Sequence, residues 1–78
     1  MSAGDTPLLD ARGLRCPEPV MLLHRAVADI APGDTLRVLA TDPTTLRDVP
    51  QFCRFLGHEL LSQREDGDGI VFELRKGG

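Results

Sequence analysis

The sequence predicts an α/β fold, a two-layer sandwich in the order β-α-β-α-β-β with a four-stranded mixed sheet and two helices on one face. Three patterns lead there. Apolar side chains recur at three- and four-residue intervals in two segments, as they do on the buried face of a helix. Residues 35–40 and 70–75 alternate apolar and polar side chains, as strands with one packed face do. Asp66-Gly67-Asp68-Gly69 is a hairpin turn signal between the last two strands. A chain of 78 residues has room for one domain, and stacking both helices on one sheet buries every apolar face around a single core.

The first strand is read from Leu8-Leu9-Asp10, bounded by Pro7 and Gly13, with residues 1–7 as a flexible tail and 8–78 as the domain. Residues 17–31 follow as a helix whose stripe is Val20, Leu23, Val27 and Ile30, stopped by Pro32-Gly33. His24 and Arg25 flank that stripe as solvated residues or as a rim for a partner. Leu36, Val38 and Ala40 face one side of an inner strand that forms a right-handed parallel unit with the first strand and helix. Asp42-Pro43 reads as an N-cap and first helical residue. Leu46, Val49, Cys53 and Leu56 then line one face, which makes Cys53 a packed thiol. Pro50 either kinks this helix or marks a short turn before a helix that starts near Asp48. Gly57 stops it. Strands at residues 59–65 and 70–75 close the chain; Phe52, Phe55 and Phe72 are assigned to the core, and His58 to a structural or surface role.

Composition narrows the function. Hydrophobic residues are 41% and charged residues 27% of the chain, which fits a folded domain, and a net charge of −3 offers nothing for direct nucleic-acid or anionic-membrane binding. A domain this small buries only about 60 to 65% of its unfolded surface, which leaves little room for a deep substrate pocket. The amino terminus lacks the basic and apolar regions of an export signal, so a cytoplasmic protein is expected. Cys16 and Cys53 form no disulfide framework, and with His24 and His58 they match no zinc spacing. No metal or cofactor is implied.

The chemistry concentrates in Leu14-Arg15-Cys16-Pro17-Glu18-Pro19. With Pro17 as the first helical residue and Pro19 as the third, both prolines occupy positions whose N–H groups have no partner within the helix. Cys16 becomes the N-cap, able to take the Glu18 N–H. The helix dipole, about half a charge at that end, joins Arg12 and Arg15 in favouring the thiolate, and the Glu18 carboxylate opposes them. A modestly lowered Cys16 pKa is the expectation.

The run from Leu9 to Met21, with Cys16-Pro17-Glu18-Pro19 at its centre, closely resembles the opening of the TusA (SirA-like) sulfur carrier family, whose hallmark is Cys-Pro-x-Pro. Asp42-Pro43, the stretch Arg47-Asp48-Val49-Pro50-Gln51-Phe52-Cys53, His58-Glu59-Leu60 and Arg75-Lys76-Gly77-Gly78 extend the likeness to TusA proper, across residues 9–78. The resemblance implies the same sandwich and a sulfurtransferase-type carrier rather than a turnover enzyme. Cys16 would accept a persulfide sulfur from a cysteine desulfurase and pass it to a downstream relay protein, ending in 2-thiolation of tRNA wobble uridines. Molybdenum-cofactor synthesis and sulfur oxidation are other outlets in the family. Arg15, Pro17, Glu18 and Pro19 would support the cysteine, and Arg12 and Arg25 would rim the partner contact. The chain departs from many members in carrying His24-Arg25 and Ala28-Asp29 where they place more basic residues.

Two other readings stand beside this one. Gly77-Gly78 resembles the terminus on which ubiquitin-like carriers bear a thiocarboxylate, although a β-grasp begins with a hairpin and this chain does not. The other is a non-catalytic binding or regulatory module in which Cys16 only caps a helix.

Overall fold

A computed structural model describes residues 6–77, so the N-terminal part of the expected tail, together with Gly78, lies outside the described residues. The elements are β1 (Leu8–Ala11), α1 (Glu18–Ala28), β2 (Thr35–Ala40), α2 (Thr45–Leu56), β3 (Glu59–Asp66) and β4 (Gly69–Arg75). This is the expected β-α-β-α-β-β sandwich. The sheet runs β1-β2-β4-β3, with β1 parallel to β2 and β4 antiparallel to both of its neighbours. Pro7 is already held, since its carbonyl accepts the Arg37 N–H at 2.9 Å.

Period-two alternation sets what is buried. Leu36, Val38 and Ala40 stand opposite Leu74, Phe72 and Ile70 in the β2–β4 register, and all six are buried. Leu23 and Val27 of α1 and Val49, Phe52 and Cys53 of α2 cover this face. The other face is wet. There Arg37 faces Glu73 directly across the ladder and pairs with it at 2.9 Å. Beyond its bulge between Leu60 and Ser62, β3 is exposed on both faces, because the helices do not extend over the edge strand.

Several boundaries differ from the sequence reading for local reasons. The first helix begins at Glu18, with Pro17 in the cap position and Pro19 as its second residue, so Cys16 stands outside the helix and does not cap it. The second helix begins at Thr45, because Asp42 and Pro43 form a preceding turn in which the Asp42 carbonyl accepts both the Thr45 N–H and the Thr45 hydroxyl. α2 runs unbroken through Pro50, which removes one internal hydrogen bond without ending the helix. Gly57 stops it in the left-handed region at φ 77°, as its position predicts. Phe55 is not in the core: the turn that buries Phe52 points Phe55 outward, and it is 77% exposed.

Candidate functional site

Cys16 is exposed at the end of the loop that joins β1 to α1, and its backbone is clamped from both sides. Its N–H donates to Asp42 Oδ2 at 2.7 Å. Oδ1 of the same carboxylate accepts the Thr44 N–H at 3.0 Å, so Asp42 bridges the cysteine loop to the turn that starts α2. Gly13 adds a second tie, its N–H donating to Thr41 Oγ1 at 2.9 Å. On the helix side, the Glu18 N–H donates to the Arg15 carbonyl at 2.8 Å and the Met21 N–H to the Pro17 carbonyl at 3.1 Å.

These bonds overturn the expected electrostatics of the thiol. The Glu18 N–H, expected to serve the thiolate, is instead taken by the Arg15 carbonyl. Asp48, in the first turn of α2, faces Cys16 instead. The Asp48 carboxylate, as a hydrogen-bond partner of the thiol, pushes the Cys16 pKa above its ordinary value. Partial desolvation and the charges of Asp48 and Asp42 push the same way; the Thr44 hydroxyl opposes them. Cys16 is therefore a thiol with a raised pKa, not a lowered one, and the opposing carboxylates come from the α2 side rather than from Glu18.

Beside the sulfur lies an open groove of about 330 Å³ between the two helices. Pro17, Val20 and His24 form its α1 wall, and Asp48, Gln51, Phe52, Phe55 and Leu56 its α2 wall. Phe52 forms the floor, with His24 edge-on at 4.7 Å between ring centres and His58 behind it at 5.6 Å. Phe55 and Leu56 remain 77% and 49% exposed, so the lip of the groove presents apolar surface to solvent. The site is thus a cysteine at the mouth of a shallow apolar trough, not a bare helix end.

The other expected residues fall in different places. Pro17 joins the groove and Pro19 is buried in the first turn of α1. Arg15 lends its charge to Asp42, whose carboxyl is held below the usual range first by the Thr44 and Cys16 N–H groups. Glu18 is exposed in the first turn of α1 and Arg25 exposed in its last. Arg12 is engaged elsewhere: its guanidinium grips Asp10 through two hydrogen bonds of 2.9 Å. Asp48, Asp42, Thr44 and Phe55 carried no site signal in the sequence; Asp42-Pro43 was legible only as a helix start.

Cys53 is 2% exposed, and burial raises its pKa, so it is the packed thiol its stripe implies. Among the described residues no three His, Cys, Asp or Glu side chains gather as a metal site, and no helix is long and apolar enough to cross a membrane. The terminal glycine pair is no loose tail at its first member. The Gly77 N–H donates to His58 Nδ1 at 2.9 Å, and a Cβ at Gly77 would collide with the Gly57 carbonyl.

Comparison with known proteins agrees with this geometry. The family model described as Sulfurtransferase TusA matches residues 8–76. A protein named sulfur carrier protein TusA from Pseudomonas paraeruginosa is 58% identical over 69 residues, covering 88% of this chain and 87% of its own length. One of the same name from Pseudomonas putida is also 58% identical, covering 88% of this chain and 86% of its own. A match that spans both helices, all four strands and the Cys16 loop places the chain in the TusA family, to which it belongs.

Proposed function

We propose that this protein is a cytoplasmic sulfur carrier that receives a persulfide sulfur on Cys16 from a cysteine desulfurase and hands it to a downstream relay protein, for 2-thiolation of tRNA wobble uridines. The observation that carries the reading is an exposed sulfur whose backbone is fixed by Asp42 while its side chain opens onto an apolar groove. The names of the Pseudomonas relatives point the same way.

In the loading step, Cys16 Sγ attacks the outer sulfur of the donor's persulfide. A new S–S bond forms on Cys16, the donor's S–S bond breaks, and the donor cysteine leaves with that electron pair and takes up a proton. No net oxidation occurs. Fixing the Cys16 backbone lowers the ordering cost of aligning three sulfur atoms. The groove lip, with Phe55 and Leu56, is the surface against which a donor or acceptor loop would seat. Nucleic acid enters only through the relay, in keeping with the net charge of −3.

The test is to mix the protein with a cysteine desulfurase and cysteine and to read intact mass. Gain of one sulfur that is lost in Cys16→Ser is the expected result. Gain that survives Cys16→Ser and disappears on removal of Gly78 would instead assign the sulfur to the C-terminus. No gain with several desulfurases would leave a binding module.

A further inference from the structure

The groups around Cys16 are an unexpected set for a reactive cysteine. From its own segment come Arg15 and Glu18; from the turn after β2 come Asp42 and Thr44; from α2 comes Asp48, with Arg47 on its outer side; His24 lies along the groove wall. Arg47 pairs with Asp48 through Nε at 3.1 Å from Oδ1, and Arg15 adds only its charge to the surroundings of Asp42. The Asp48 side chain is only 14% exposed, against 71% for Arg47, so the carboxylate sits in the groove wall while its cation lies in solvent. Thr44 Oγ1 is buried and lacks a partner of hydrogen-bonding geometry. Among the described residues, the sulfur therefore meets carboxylate on its α2 side and no cation there that is not already directed to a carboxylate.

We propose that Asp48, backed by Asp42, is a positioning residue that retains transferred sulfur on Cys16, because negative charge beside Sγ makes the Cys16 thiolate a poor leaving group. The inference rests on the carrier reading above and deepens it. When a free thiolate attacks the outer sulfur of loaded Cys16, a new S–S bond forms on the attacker and the bond from Sγ to the outer sulfur breaks. Sγ keeps that electron pair as a thiolate and then takes a proton from water. The carboxylates act on that departing charge: a thiol of higher pKa leaves more slowly. The same Sγ thiolate leaves when an acceptor seated in the groove attacks the outer sulfur, so the carboxylates slow that transfer too, and it outpaces loss to small thiols only through the alignment that docking provides.

The test loads wild type, Asp48→Asn and Asp48→Glu with a desulfurase and cysteine, removes the donor, and follows loss of sulfur to glutathione by intact mass across a pH series. With a Brønsted dependence near 0.5, Asp48→Asn should discharge about threefold faster for each unit by which the thiol pKa falls. Asp48→Glu should stay close to wild type. In the unloaded protein, the pH midpoint of iodoacetamide alkylation should fall in Asp48→Asn and be restored in Asp48→Glu, which a purely structural role for Asp48 would not produce. Discharge of Asp48→Asn at the wild-type rate, or an unmoved alkylation midpoint, overturns the proposal. Failure of wild-type Cys16 to load at all overturns the carrier reading instead, and the two results are distinct.

Discussion

Asp42 holds Cys16 across 26 residues of sequence, its Oδ2 accepting the cysteine N–H at 2.7 Å while Oδ1 accepts the Thr44 N–H at 3.0 Å. One carboxylate therefore fixes the sulfur-bearing loop relative to the helix that supplies Asp48 and the groove wall. The direction of the sulfur thus depends on a residue far from it in the chain.

Replacing Asp42 by Ala should free the Cys16 loop while leaving the sheet and both helices in place. Sulfur acceptance from a desulfurase should slow by roughly ten- to a hundredfold, the usual consequence of misplacing a reacting atom by about 1 Å. Single-turnover loading read by intact mass, with circular dichroism to verify the fold, checks this. Loading at the wild-type rate would show that the clamp is dispensable.

Phe55 is 77% exposed on the groove lip and contributes little to the fold. Phe55→Ala should change unfolding free energy by no more than about 0.5 kcal/mol yet weaken desulfurase binding by about 1 to 2 kcal/mol, roughly five- to thirtyfold in Kd. Titration calorimetry beside chemical denaturation separates the two. Loss of stability with unchanged binding would return Phe55 to a packing role.

The Arg12 guanidinium lowers the Asp10 carboxyl from its ordinary 3.8 to about 2, chiefly through their side-chain hydrogen bonds. A carboxyl depressed in the folded state stabilises the fold above its unfolded pKa and loses that contribution as pH falls through the folded value. The window here runs from about 4 down to about 2. Carboxyl-carbon NMR titration should place the Asp10 midpoint near 2 in wild type and return it toward 3.8 in Arg12→Ala. Asp42, lowered by the Thr44 and Cys16 N–H groups, should also titrate below the ordinary range, and Arg12→Ala should leave it unmoved.

Cys53 and Gly77 test the remaining sulfur readings. Cys53→Ser places a hydroxyl in a core position that is 2% exposed, which should cost about 1 to 3 kcal/mol in unfolding free energy and leave sulfur loading intact. Gly77→Ala forces a Cβ against the Gly57 carbonyl and should cost about 1 to 3 kcal/mol by overpacking. The hydrogen bond from the Gly77 N–H to His58 should break, moving both resonances in NMR spectra, while Cys16 still loads. Loss of loading in Cys53→Ser with the fold retained would make the second cysteine part of the relay.

Local periodicity was enough to determine the element order, the core of β2 and β4 and the burial of Cys53, and the prolines beside Cys16 singled it out as the candidate. Leu36, Val38 and Ala40 could face only one way once Arg37 and Leu39 alternated with them. The surroundings of the sulfur came from packing instead. Local rules give it the Glu18 N–H and a lowered pKa, but a donor serves whichever acceptor the fold brings nearest, and here that is the Arg15 carbonyl. The packing of α2 against α1 then set Asp48 beside Cys16, put Phe55 outside the core and opened a groove between them. Charges and walls from residues more than twenty-five positions away leave no trace in the spacing around a cysteine, so its identity was legible in the chain and its chemistry was not.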